Sequence, residues 1–281
     1  MNDLPISWVE LAVIVPLLGA LGVARFRDLD RARHWSVALT GLALLCAVGA
    51  WRDFQVVDTT SANSDAHLTT RILGWEVFEI DQLSAPLLPL TALLYFLTTV
   101  TTLRTKMPYF SFALTLLSES LALATTSCRA PWLVIGLLGT STVIPYLELV
   151  ARERPTRVYV IHAALFVALM VLGQSFVELF PGPRETSAWA LIPLLMAVLV
   201  RSGIVPFHCW ITDLFEHASF ATALLVVAPL AGAYGAVRLI LPIAPIGCCA
   251  VWGWSRWRQR STPREWRSFS ATRADSSVFS F

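Results

Sequence analysis

Four ionisable residues stand inside long apolar runs, where a charge at mid-helix costs about 2.5–3.5 kcal/mol on insertion scales. Glu119 lies in Leu116-Leu117-Ser118-Glu119-Ser120, Glu148 follows Pro145, His162 follows Val160-Ile161, and Arg201 lies in Leu199-Val200-Arg201-Ser202-Gly203. Residues kept at that cost mark ion pathways: carboxyl and imidazole groups bind and release protons, and a guanidinium supplies a fixed positive potential. Each also has a plainer reading. Glu148 can snorkel to the interface or pair with Arg152 one helical turn on, and His162, about one turn into its run, can reach interfacial water. Glu119, about ten residues deep between two serines, is harder to explain as structure. Arg201 is the strongest candidate, because Gly203 and Pro206 follow it within five residues. Pro206 leaves a carbonyl without its donor and Gly203 lowers helix propensity, so a helix break beside the cation is predicted. Broken helices at membrane depth line cavities or pack in protein.

After that break comes Pro206-Phe207-His208-Cys209-Trp210-Ile211-Thr212-Asp213-Leu214-Phe215-Glu216-His217-Ala218. Its histidines and carboxylates suggest a metal site at first sight. His208 with Asp213, Glu216 and His217 lacks the i, i+4 histidine pair of a helical zinc site, so the expectation is no metal and a charged reentrant turn at the membrane face.

The elements that must position these groups follow from hydropathy. A bilayer core of about 30 Å takes roughly 20 apolar residues per helix. Eight segments qualify or nearly so: about 6–24, 35–51, 83–103, 108–127, 131–150, 157–179, 187–207 and 219–241. The longest polar stretch, from Arg52 to Asp81, separates the second from the third. Arg25, Arg27, Arg31 and Arg33 follow the first segment, Arg104 and Lys106 the third, and Arg152, Arg154 and Arg157 the fifth. Positive loops mark the cytoplasmic side, so the N-terminus is expected outside and the chain in the cell inner (plasma) membrane.

Composition agrees. Of 281 residues 56% are hydrophobic and only 14% charged, with a net charge of +2 and a mean hydropathy of +0.64. An ordinary soluble domain carries roughly 25% charged residues. These values exclude a disordered chain, a nucleic-acid binder and a soluble enzyme of the usual kind. The expected fold class is an all-α polytopic membrane protein, with the lipid bilayer and other membrane subunits as partners. The five cysteines show no ligand spacing, and no nucleophile–base set or cofactor motif is present. No cofactor and no catalytic centre of its own are therefore expected.

The C-terminal stretch changes character. Residues 247–281 hold four of the eleven tryptophans, seven serines and six arginines, without helical or strand period. Two readings stay open: a solvated or interfacial tail, or sequence out of frame, as after a frameshift. An uninterrupted frame at the locus, with related tails in relatives, would remove the second.

The stretch from Arg201 to Arg238 resembles the signature of the antiporter-like membrane subunits of NADH:quinone oxidoreductase, shared with Mrp-type cation/proton antiporters and membrane hydrogenases. Val205-Pro206-Phe207-His208-Cys209-Trp210-Ile211-Thr212-Asp213 carries the resemblance, with Pro206, Trp210 and Asp213 as signature positions. Ala233-Tyr234-Gly235-Ala236-Val237-Arg238, Ile80-Asp81-Gln82-Leu83-Ser84-Ala85 and Ser141-Thr142-Val143-Ile144-Pro145-Tyr146 support it more weakly. The resemblance implies proton or cation translocation through intramembrane charges, within a multi-subunit complex. At most, then, the chain is a proton-translocating subunit of an oxidoreductase complex. The residues expected on the pathway are Arg201, Glu119, His208, Glu148 and His162.

It also implies the first half of a fold of about fourteen helices with inverted repeats. Three regions are expected: 1–74, two helices and an outer loop; 75–245, the antiporter-like part; and 246–281, an aberrant tail read as disordered. The departures are specific. The family's fifth-helix glutamate falls at Thr140, its seventh-helix lysine at Arg201, and its next lysine at Leu230. Those losses leave open a membrane subunit that only packs in an assembly, or one serving a bicarbonate-uptake or hydrogenase complex.

Overall fold

Helices start where a polar side chain can satisfy the unpaired amides of a first turn. In the computed structural model, which describes residues 7–60, 68–72, 75–102, 110–179, 188–228 and 230–240, Ser7 caps α1 (Trp8–Val23) with a reciprocal contact to Glu10. Asp28 accepts from the Asp30 amide at the start of α2 (Leu29–Thr60). Ser111 caps α4 (Phe112–Ser127), and Ser219 caps α10 (Phe220–Val227).

The remaining helices are α3 (Ser84–Thr101), α5 (Pro131–Ser141), α6 (Val143–Ala151), α7 (Arg157–Leu179), α8 (Ala188–Arg201), α9 (Cys209–His217) and α11 (Leu230–Gly235), the last continued by a π-helical turn over Ala236–Ile240. Among the described residues four stretches are long and apolar enough to cross a bilayer: Leu29–Val56, Ser84–Thr101, Pro131–Ala151 and Arg157–Leu179. Trp8–Val23, Phe112–Ser127 and Leu191–Arg201 are shorter apolar helices. A helical membrane architecture is therefore borne out.

Three local features differ from the hydropathy reading. First, α2 begins at Leu29 and runs to Thr60, well outside the apolar 35–51, because backbone hydrogen bonding continues past the point where side chains turn polar. Second, the polar stretch before the third span forms an antiparallel hairpin of β1 (Leu68–Ile72) and β2 (Trp75–Ile80), with a register irregularity at Thr70/Arg71. Third, 206–218 is a tight turn followed by the nine-residue helix α9, not a continuous reentrant turn. The anomalous tail at 246–281 lies outside the described residues.

Prolines shape the long elements. Pro145 cannot donate to the Ser141 carbonyl, and the ladder is interrupted at Thr142, which separates α5 from α6. Close approach sets α7 against α8, because a Cβ on Gly173 would stand 2.5 Å from Leu194 Cγ.

Polarity is inverted relative to a soluble bundle. Large apolar side chains such as Leu18, Leu45, Ile161 and Phe220 face outward, while Glu119, Ser84, Thr99 and Ser127 are fully buried. That distribution suits a lipid surround, where outward-facing apolar groups cost nothing. The main core joins Val9 and Ala12 of α1, Ala43 and Ala47 of α2, Leu88 of α3, Leu123 of α4, Leu138 of α5, Met170 of α7 and Val200 of α8.

Candidate functional site

The break after α8 carries the centre of the site. Gly203 adopts φ +62, and a Cβ there would fall 2.0 Å from Ile211 Cδ1, so only glycine permits this turn. The turn folds α9 back so that Trp210 is buried and its Nε1 donates to the Val200 carbonyl at 2.9 Å. The Arg201 guanidinium lies over the Trp210 ring, 5.6 Å from its centroid. Tyr159 of α7 meets the indole in an edge-to-face arrangement at a centroid distance of 6.4 Å and donates to the Thr142 carbonyl at 2.8 Å, reaching the α5/α6 interruption. The signature tryptophan thus links α7, α8 and α9.

Arg201 borders two small cavities. One, of about 20 Å³, is lined by Thr142, Tyr159, His162 and Trp210 among others. The second, of about 50 Å³, is lined by Thr91, Tyr95, Ser118, Thr125 and Ser141 with Arg201. About 10–15 Å³ admits one water, so both are large enough to be wet. His162 faces the first cavity, with Nδ1 held 2.8 Å from the Val158 carbonyl. Tyr95 and Ser118 share a hydrogen bond of 2.7 Å across α3 and α4. Tyr95 stands within electrostatic reach of both Glu119 and Arg201.

Glu119 is the unusual member. It is 0% exposed, and neither carboxyl oxygen has a hydrogen-bond partner. Among the described residues no ion pair joins it to Arg201.

The other predicted residues fall elsewhere. Glu148 is fully engaged: Oε1 accepts from Arg152 at 2.9 Å and from the Ser219 amide at 2.8 Å, and Oε2 accepts from the Thr222 hydroxyl. It ties α6 to the start of α10. His208 and Pro206 are exposed on the turn. Asp213 pairs with His217 at 3.3 Å along α9, and its second oxygen is buried without a partner. At the position of the family glutamate, Thr140 is exposed and its hydroxyl donates to the Gly136 carbonyl. Leu230 begins α11.

A second charged cluster was not anticipated as a unit. Arg238 in the π-helical turn pairs with Asp81 at 2.7 Å and donates to Ser84 Oγ at 2.8 Å and to Tyr234 Oη at 2.9 Å. Tyr234 donates onward to the Cys128 carbonyl at 2.6 Å. Asp81 also accepts from the Leu83 and Ser84 amides, capping α3. Burial raises the Asp81 carboxyl, but the Ser84 amide and the Arg238 guanidinium together hold it below the usual aspartate value. The order of apolar segments in the sequence contains the signal: Asp81 stands just before the third of them and Arg238 near the end of the eighth.

With this geometry in hand, comparison with known proteins is consistent with it. Residues 151–254 match the family described as NADH:quinone oxidoreductase/Mrp antiporter, TM. NAD(P)H-quinone oxidoreductase chain 4 1 of Nostoc sp. is 25% identical over 276 residues, covering 87% of this chain and 50% of that protein. Its counterpart in Synechococcus sp. (strain JA-3-3Ab) is 23% identical, at 85% and 50% coverage.

Among solved structures, a chain of respiratory complex I from Thermus thermophilus with bound NADH superposes with a TM-score of 0.66 at 18% identity, over 87% of this chain and 55% of that one. A chain of the Mrp complex from Dietzia sp. DQ12-45-1b superposes with a TM-score of 0.64 at 18% identity, over 83% and 49%. The resemblance read from the Val205–Asp213 block is borne out, and the chain spans about half the length of the curated relatives it matches.

Proposed function

We propose that this chain is an antiporter-like membrane subunit of a respiratory NADH:quinone oxidoreductase-like or Mrp-like complex, moving protons or cations across the bilayer. The observation that carries the reading is Glu119: a fully buried carboxyl with two unpartnered oxygens, beside a Tyr95–Ser118 hydroxyl pair that borders a cavity ending on Arg201. A neutral acid can hold a proton in that apolar setting, where a carboxylate would find no donor. Arg201 stays charged at any useful pH and sets the potential across the two cavities, so that a proton passing the hydroxyls meets a fixed positive barrier. Glu119 takes the place of the family carboxyl that Thr140 lacks, and His162 opens the Arg201 region toward the α7 end.

In this reading about eight spans run from an outer N-terminus in the plasma membrane. The antiporter-like part occupies 75–245, preceded by the two helices and loop of 1–74 and followed by the aberrant tail of 246–281. His208 and the signature residue Asp213 sit at the membrane face beside the site. A second reading, a packing subunit without ion movement, is favoured by two facts: Glu148 is wholly engaged in holding α6 to α10, and Thr140 closes the family position with an internal hydrogen bond.

Proton flux in proteoliposomes separates them, with wild type compared against Arg201→Ala and Glu119→Gln. Flux lost in both variants supports the pathway. Equal flux in all three removes the site assignment, and none in any of them favours the packing role. Co-purification with other membrane subunits tests the assembly.

A further inference from the structure

A permanently charged side chain beneath the membrane surface needs a counter-charge, since an unpaired buried ion costs several kcal/mol. Arg201 cannot shed its charge as a lysine would. Among the described residues its guanidinium has no hydrogen bond and no ion pair, and its contact is the face of Trp210. A cation–π contact contributes about 0.5–2 kcal/mol, too little to replace hydration of a guanidinium. The carboxyl groups of neighbouring elements do not pair with it: Glu119 has no hydrogen-bond partner among the described residues, Glu148 pairs with Arg152, Asp81 with Arg238 and Asp213 with His217.

The 50 Å³ cavity beside Arg201 adds a second donor. Tyr95 and Ser118 hold two hydroxyl protons but share one hydrogen bond between them, which leaves one O–H free to donate. The other hydroxyls lining the cavity, Thr91, Thr125, Thr126 and Ser141, donate to carbonyls of their own helices. Among the described residues, the free donors bordering this space are therefore a guanidinium and one hydroxyl, with no acidic side chain in the lining.

We propose that this cavity is a binding site for a small monovalent anion of the size and charge of chloride, held by Arg201 and the Tyr95–Ser118 pair. The anion offsets the fixed cation, so the positive barrier assigned to Arg201 above holds when the site is empty. Binding is an equilibrium property of the bundle, so it stands or falls separately from proton movement.

The test uses the full chain in lipid nanodiscs with chloride as the probe, read by chloride-35 NMR line broadening and by thermal stability in chloride against gluconate at equal ionic strength. The expected result is saturable broadening and a chloride-dependent rise in Tm for the wild type, retained by Arg201→Lys. Arg201→Met should weaken binding about tenfold or more, the usual consequence of losing a charged donor. Should Arg201→Met not fold, Tyr95→Phe with Ser118→Ala, which removes the hydroxyl donors and keeps the charge, should weaken binding several-fold. A wild type with no chloride dependence, or chloride binding unchanged in Arg201→Met or in the hydroxyl double variant, overturns the proposal.

Discussion

At the end of the bundle where α3 begins, the half-buried Asp81 and Arg238 pack against Ser84 and Tyr234, with the polar atoms named above all paired. Glu119 is fully buried and Arg201 half-buried, with no carboxyl–guanidinium contact and no hydrogen bond to either group among the described residues. Both clusters lie in one bundle and use the same residue types. A complete network of this kind fixes geometry, here joining the β2–α3 connection to the last helical turn. Glu119 and Arg201 lack such a network, and the proposed proton pathway rests on that difference. The same contrast separates Glu148, which is engaged on both oxygens, from Glu119.

Substitutions should expose the contrast as opposite effects on stability and flux. Removing Trp210, to which the turn, α7 and Arg201 are all packed, should cost the most: Trp210→Ala is expected to lower unfolding free energy by about 3–5 kcal/mol in detergent micelles. Asp81→Ala comes next, leaving Arg238 buried beside Tyr234. Full burial would make that loss about 3–5 kcal/mol, and the partial exposure of the pair reduces it to about 2–3 kcal/mol. Asp81→Leu combined with Arg238→Met should recover most of that loss, since an apolar pair of similar size removes both charges.

Acidification gives a smaller and more gradual effect. The folded Asp81 carboxyl lies below its unfolded value, near 3.9. Its contribution is therefore complete above about pH 4 and is lost as pH falls through the lower folded-state value. Stability measured between pH 6 and pH 3 should fall more steeply for wild type than for Asp81→Asn. The smallest change is expected at the unpaired site. Glu119→Gln should alter stability by less than about 1 kcal/mol, because no hydrogen bond or ion pair is lost. A loss as large as that of Asp81→Ala would dissolve the distinction.

Much of this was legible in the sequence. Apolar runs located the helices, because a bilayer imposes a length of its own. Gly203 and Pro206 announced the break after Arg201, and the Val205–Asp213 block pointed to the family. The extension of α2 and the hairpin at 68–80 were not legible, since both lie in polar sequence where hydropathy has no say. The Arg201–Trp210 contact needed the turn geometry set by the left-handed Gly203. The isolation of Glu119 needed the positions of α3, α4 and α8 together, and a sequence shows a charge without showing what surrounds it. Arg238 was visible only as the end of a motif, because its partner is at the far side of the chain.

Proton flux per folded molecule, measured on Glu119→Gln and Asp81→Asn in parallel proteoliposomes, tests the central claim most directly. Flux abolished by Glu119→Gln and kept by Asp81→Asn, despite the greater instability of the latter, is the predicted result. Flux unchanged by Glu119→Gln, or lost only with Asp81→Asn, would contradict the assignment of the unpaired carboxyl to the pathway.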